Sequence, residues 1–231
     1  MLKKLFTIFL FLFSLTSAHS QLSKVHYIPP VAGQNVSDHM IYISTPSTGY
    51  INVTIKPIGG TRTDWKSKSI KNDEPWDFST GTGRGDIIRD IGGLNGVIND
   101  SGYIIESQAL TYVSFRLNSP LANTGFKYHS AAYVSKGESA LGSRLRTATF
   151  TNSSSGTSGN GDPEHFISIL ATEDNTKVTL SDFPSGIEFT NTDLAGAQTS
   201  PLILPILNED EAYILGFSPL HSQSQTIQEA L

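Results

Sequence analysis

Hydrophobic and polar positions alternate with a period of two through much of this chain, as strands buried on one face require. Ile51, Val53 and Ile55 fall on one side of a strand, and Asn52 and Thr54 fall on the other. Val113, Phe115 and Leu117 oppose Tyr112, Ser114 and Arg116 in the same way. Residues 40–45 are largely apolar on both faces, and the turn residues Pro46-Ser47-Thr48-Gly49 follow them. The pattern therefore predicts a β-hairpin over 40–55. A second hairpin is predicted where 166–171 and 177–180 flank Glu173-Asp174-Asn175. With Tyr103-Ile104-Ile105 as a further strand, the expected fold class is all-β and sandwich-like.

Between these segments, residues 131–134 read as a short strand, 135–142 as a tight corner between glycines, and 144–151 as a return to strand alternation. The run 59–99 differs from the rest. It holds many glycines, spread charges and both tryptophans, and reads as loop with short strands. The Ser/Gly-rich run 153–161 has nothing to bury and reads as a surface loop within the domain. Glu211-Ala212-Tyr213-Ile214-Leu215 echoes Gly102-Tyr103-Ile104-Ile105, and Val178-Thr179-Leu180 echoes Val53-Thr54-Ile55. The echo reads either as two similar β units in tandem or as the shared character of half-buried strands.

The corner also carries a resemblance. Ser135-Lys136-Gly137, Ala140-Leu141-Gly142, Leu145-Arg146 and Thr149-Phe150-Thr151-Asn152 are followed by Ala171-Thr172-Glu173-Asp174-Asn175-Thr176 with Val178. Upstream stand Tyr27-Ile28-Pro29-Pro30, Tyr42-Ile43-Ser44-Thr45-Pro46 and Val53-Thr54-Ile55 with Pro57-Ile58-Gly59-Gly60. These runs resemble the IgG Fc-binding protein N-terminal domain family of large secreted proteins of Bacteroidetes-type bacteria, over roughly residues 24–217. The resemblance implies a non-catalytic surface or adhesion module, and no catalytic set travels with it. Members commonly extend further, so the resemblance implies a domain over 21–231 that is truncated at its C-terminal end.

Composition sharpens this picture. Lys3 and Lys4, the apolar run 5–15 and Ala18-His19-Ser20 form an export signal over 1–20, with the mature chain starting at Gln21. The apolar run is shorter than the about 20 residues that a bilayer span needs, so no membrane insertion is expected after cleavage. The expected location is secreted or on the outer cell surface. The formal charge is −5 and becomes more negative once Lys3 and Lys4 are removed, which argues against nucleic acid as a partner. There is no cysteine, which excludes thiolate metal sites and cysteine nucleophiles.

Candidate chemistry is sparse. Gly137-Glu138-Ser139-Ala140-Leu141-Gly142 approaches a nucleophile elbow, but Leu141 stands where the second glycine belongs. Gly81-Thr82-Gly83-Arg84-Gly85-Asp86 lacks the Lys-Ser/Thr of a phosphate loop, and its Arg84-Gly85-Asp86 tripeptide is of a kind that occurs by chance. The acidic runs Asp73-Glu74 with Asp77 and Glu173-Asp174 lack calcium-loop spacing. No cofactor and no metal are expected. Trp65 and Trp76 are the candidate binding residues, because an aromatic in a polar, glycine-rich segment can stack on a sugar or anchor a protein. The expected partner is an extracellular protein or glycan, and the alternative is a carbohydrate-active enzyme or carbohydrate-binding module on a β scaffold.

Overall fold

The computed structural model describes residues 21–32, 39–81, 87–89, 94–120, 127–147, 165–183, 185, 187–189, 191–194 and 196–217. The export signal expected over 1–20, the Arg84-Gly85-Asp86 tripeptide, the motif end 149–152, the loop expected over 153–161 and residues 218–231 lie outside the described residues. In chain order the strands are β1 (Ser23–Ile28), β2 (Val31–Ala32), β3 (His39–Ser44), β4 (Ile51–Pro57), β5 (Lys66–Ile70), β6 (Trp76–Gly81), β7 (Ile88–Arg89) and β8 (Tyr103–Pro120). After β9 (Lys127–Ser135) and β10 (His165–Leu170) come β11 (Thr179–Leu180), β12 (Ile187–Glu188), β13 (Ala197–Gln198), β14 (Leu202–Ile203) and β15 (Ala212–Phe217).

β8 is the axis of a seven-stranded sheet. At 18 residues it is long enough to template two successive partners along each edge. One edge takes β4 against 103–107 and β3 against 112–117. The other takes β1 and then β9. One ribbon further out, β5 lies on β4 and β6 lies on β3.

This arrangement corrects the hairpin expected over 40–55. β3 and β4 do not pair with each other; both run antiparallel to β8 in the same direction, and the 46–49 turn does not reverse the chain. The interruption is tied on both sides. The Thr45 hydroxyl donates to the Leu110 carbonyl at 2.8 Å, and the Asn72 amide donates to the Ser47 carbonyl at 2.8 Å. The changes of partner on the two edges therefore fall on the same stretch of β8, and the sheet is curled. Ile51, Val53, Ile55 and Ile105 from one half meet Ile41, Ile43, Trp76, Val113 and Phe115 from the other in a single core cluster. Ile41, Ile43, Val53, Ile55 and Ile105 are fully buried, each contributing about 1.5–3 kcal/mol by its removal from water. The all-β class holds, with a curled seven-stranded sheet organised on β8 and two-stranded ladders beside it.

Among the described residues the run 59–99 is loop with short strands, as its composition predicts: β5, β6 and β7. Sequence alone hid β5, because Lys66-Ser67-Lys68-Ser69 on an edge strand is exposed on both faces and shows no alternation. The second predicted hairpin is likewise absent. β10 pairs with β15 and β11 pairs with β14, so each strand finds its partner across a long connection. Leu202, Leu204, Leu207, Tyr213 and Leu215 form a second core with Ile167, Ile169, Val178 and Leu180 packed on it. Of the strand expected over 144–151, the described part 144–147 is exposed and carries no ladder. The two regions are unlike in construction, one a seven-stranded sheet and the other a set of two-stranded ladders among the described residues. They are joined by a small apolar cluster of Ala32, Leu94 and Ile214, and by the bridge between Ile98 and Ala212. No helix among the described residues is long and apolar enough to cross a membrane.

Candidate functional site

The two expected contact residues are not brought together. Trp76 opens β6, is 9 % exposed, and packs edge-on to Phe78 with ring centroids 5.6 Å apart. It is a core residue, and the expectation that it contacts a ligand gives way to that burial. Trp65 lies just before β5 and remains 37 % exposed. The Lys56 ammonium sits 4.5 Å from its ring centroid and the Arg62 guanidinium 5.7 Å away.

Trp65 belongs to the outward face of the half-sheet formed by β5, β4, β8 and β1. Ile55 is opposite Lys66, so the next position outward places Lys56 beside Trp65. Lys56 is opposite Ile104, and Ile104 is opposite Tyr27. A row of Trp65, Lys56, Ile104 and Tyr27 therefore crosses the strands, spanning three strand spacings or about 14 Å. The adjacent row runs Ser67, Thr54, Glu106 and Val25. Lys56 forms an ion pair with Glu106 at 2.5 Å. Thr54 and Ser67 share a hydroxyl hydrogen bond of 3.0 Å, and the Ser69 hydroxyl donates to Asn52 at 2.5 Å. Burial first, and then the charges of Glu138, Asp210, Glu209 and Glu106, raise the pKa of the Tyr27 phenol. Burial raises the Asp210 carboxyl, and Lys56 opposes that shift. The outward positions Asn52 and Thr54 were legible from alternation, whereas Tyr27, Ile104 and Glu106 join the face only through register.

Around the edge from Trp65, a cleft of about 590 Å³ opens on the core side, lined among others by Asp64, Lys66, Phe78, Asp100 and Tyr103. Both carboxylates are engaged. The Thr61 amide and hydroxyl donate to Asp64 at 2.7 and 2.9 Å, bonds that hold its carboxyl below the usual range. Asp100 is ion-paired with Arg89.

The corner after β9 has a structural explanation. Gly137 has φ +56°, and a Cβ there would come within 2.2 Å of the Ser23 Cβ and 2.6 Å of the Val25 carbonyl oxygen. The Ser135 hydroxyl accepts from the Gly137 amide at 3.2 Å and meets His26 Nδ1 at 3.1 Å. His26 Nε2 lies 2.9 Å from the Thr111 carbonyl, which can only accept, so Nε2 carries the proton and Nδ1 accepts from Ser135. Ser23 donates to the Glu138 carboxylate at 3.1 Å and accepts from the Glu138 amide at 3.3 Å. His26 is fully buried, and this burial lowers its pKa against opposing bonds from backbone groups and the charge of Glu138. The network fastens the corner across the junction of β1 and β9, with no opening to substrate at His26. Ser139, at the near-elbow, is exposed and donates to the Lys136 carbonyl at 2.6 Å.

Three carboxylates of the acidic runs are engaged locally. Asp73 and Glu74 each pair with Lys71 at 3.0 Å, and Asp174 accepts from the Glu209 amide at 3.1 Å. Among the described residues no group of three or more His, Asp or Glu side chains is placed to hold a metal ion. Compared with protein-family models, curated proteins and solved structures, the chain matches none.

Proposed function

We propose that this chain is an exported, non-catalytic surface or adhesion module that binds an extracellular protein or glycan through the outward sheet face around Trp65. The observation that carries this reading is Trp65 itself. An indole left 37 % exposed between Lys56 and Arg62, on a rigid β platform, is the kind of anchor that recognition surfaces concentrate. Two further features support it. The cleft carboxylates Asp64 and Asp100 are both engaged, and the buried His26–Ser135 pair is closed off inside the sheet junction. The central motifs resemble modules of this kind, and Ser135 and Gly137 within them work as structural fasteners.

The test is a binding screen of the mature chain against extracellular proteins and glycans, repeated with Trp65→Ala. Binding should weaken by about 1–3 kcal/mol while the thermal midpoint stays nearly unchanged. Turnover of a polysaccharide or peptide that disappears in Asp64→Asn or Asp100→Asn would overturn the non-catalytic assignment.

A further inference from the structure

Resting on that reading, we infer that the ligand of the Trp65 face is a neutral oligosaccharide lying across the strands from Trp65 to Tyr27. Geometry and charge both point to it. The two rings stand at opposite ends of one cross-strand row, about 14 Å apart, a span that a single sugar cannot bridge and a short extended oligosaccharide can. In the row between them lie Lys56, paired with Glu106, and Ile104; alongside, the adjacent row carries the Thr54–Ser67 hydroxyl pair, and the row beyond it the Asn52–Ser69 pair, groups suited to sugar hydroxyls. Aromatic ends with hydrogen-bonding pairs along one side match the two kinds of surface a pyranose presents, its C–H face and its hydroxyl rim.

Charge balance selects among ligands. Lys56 is neutralised by Glu106, Arg62 stands at the Trp65 ring, and the charges of Glu138, Asp210 and Glu209 bear on Tyr27 at the other end, so the row carries no charge of uniform sign. A polyanion would be repelled at the Tyr27 end, and a cationic peptide at Arg62. An uncharged polyol meets neither penalty. The edge strand β5 adds Lys66 and Lys68, whose charges discourage pairing with an extended peptide along that edge.

The experiment is affinity electrophoresis and calorimetry of the mature chain with soluble xylan, laminarin and β-glucan, and with oligosaccharides of one to six units prepared from them. Affinity should rise with length to about three or four units and then level off, and should change little with added salt. Trp65→Leu and Tyr27→Leu, which keep apolar bulk and so preserve the fold, should each lower affinity about tenfold, with unchanged circular dichroism as the control. Binding that depends on Trp65 but ignores both chain length and Tyr27 would overturn this inference while leaving the binding reading standing. Retention by a protein partner with none by any glycan in the series would overturn it equally. Loss of every interaction in the broader screen would remove both.

Discussion

His26 shows how one side chain couples the strands to solution conditions. Its folded-state pKa lies below the ordinary value of 6.5, because burial penalises the imidazolium more than the backbone bonds and Glu138 favour it. The unfolded chain therefore takes up the proton more readily. Stability from this residue is present above about pH 6.5 and is lost as pH falls from there toward the lowered native pKa. Protonation also puts a hydrogen on Nδ1, so Ser135 can no longer donate there and must find another acceptor. The thermal midpoint should drop between pH 7.5 and 5.5, and His26→Gln, although less stable at neutral pH, should lose that part of the slope. An identical slope in the variant would remove His26 as its source. Gly137 makes a companion point: its Cβ-free, left-handed backbone lets the corner close on Ser23 and Val25.

At the scale of elements, the contrast between Trp65 and Trp76 comes from which ribbon each joins. β6 lies on β3, whose Ile41 and Ile43 are fully buried, and Trp76 opposite Ile43 is drawn into the same cluster. Trp76→Ala should then cost about 3–5 kcal/mol, measured by denaturant unfolding, and should change ligand affinity only through loss of folded protein. A near-neutral effect on stability would contradict its core placement. Strand existence was readable where one face is apolar, as in β4 and β8. Strand partnership was not, because a local turn signal such as Pro46-Ser47-Thr48-Gly49 does not say whether the chain reverses or continues along a longer neighbour.

For the whole molecule, the two cores meet through Ala32, Leu94 and Ile214, and the export proposed from the apolar run 5–15 with Ala18-His19-Ser20 predicts cleavage before Gln21. Intact-mass measurement of secreted or periplasmic material should give a chain beginning at Gln21; recovery of the full chain from Met1 in the cytoplasm alone would contradict this. Alternation and composition by themselves determined the all-β class, the buried faces of Ile51, Val53, Ile55, Val113 and Phe115, and the lack of cysteine chemistry. These follow from local sequence, because burial of one strand face depends only on a period of two. Tertiary structure alone decided that β8 templates four strands, that β10 reaches β15, that Trp76 is buried while Trp65 is not, and that Tyr27, Ile104, Lys56 and Trp65 share one row. Those outcomes depend on register between segments far apart in the chain, where hydrogen-bond ladders and shared cores choose among pairings that are locally equivalent.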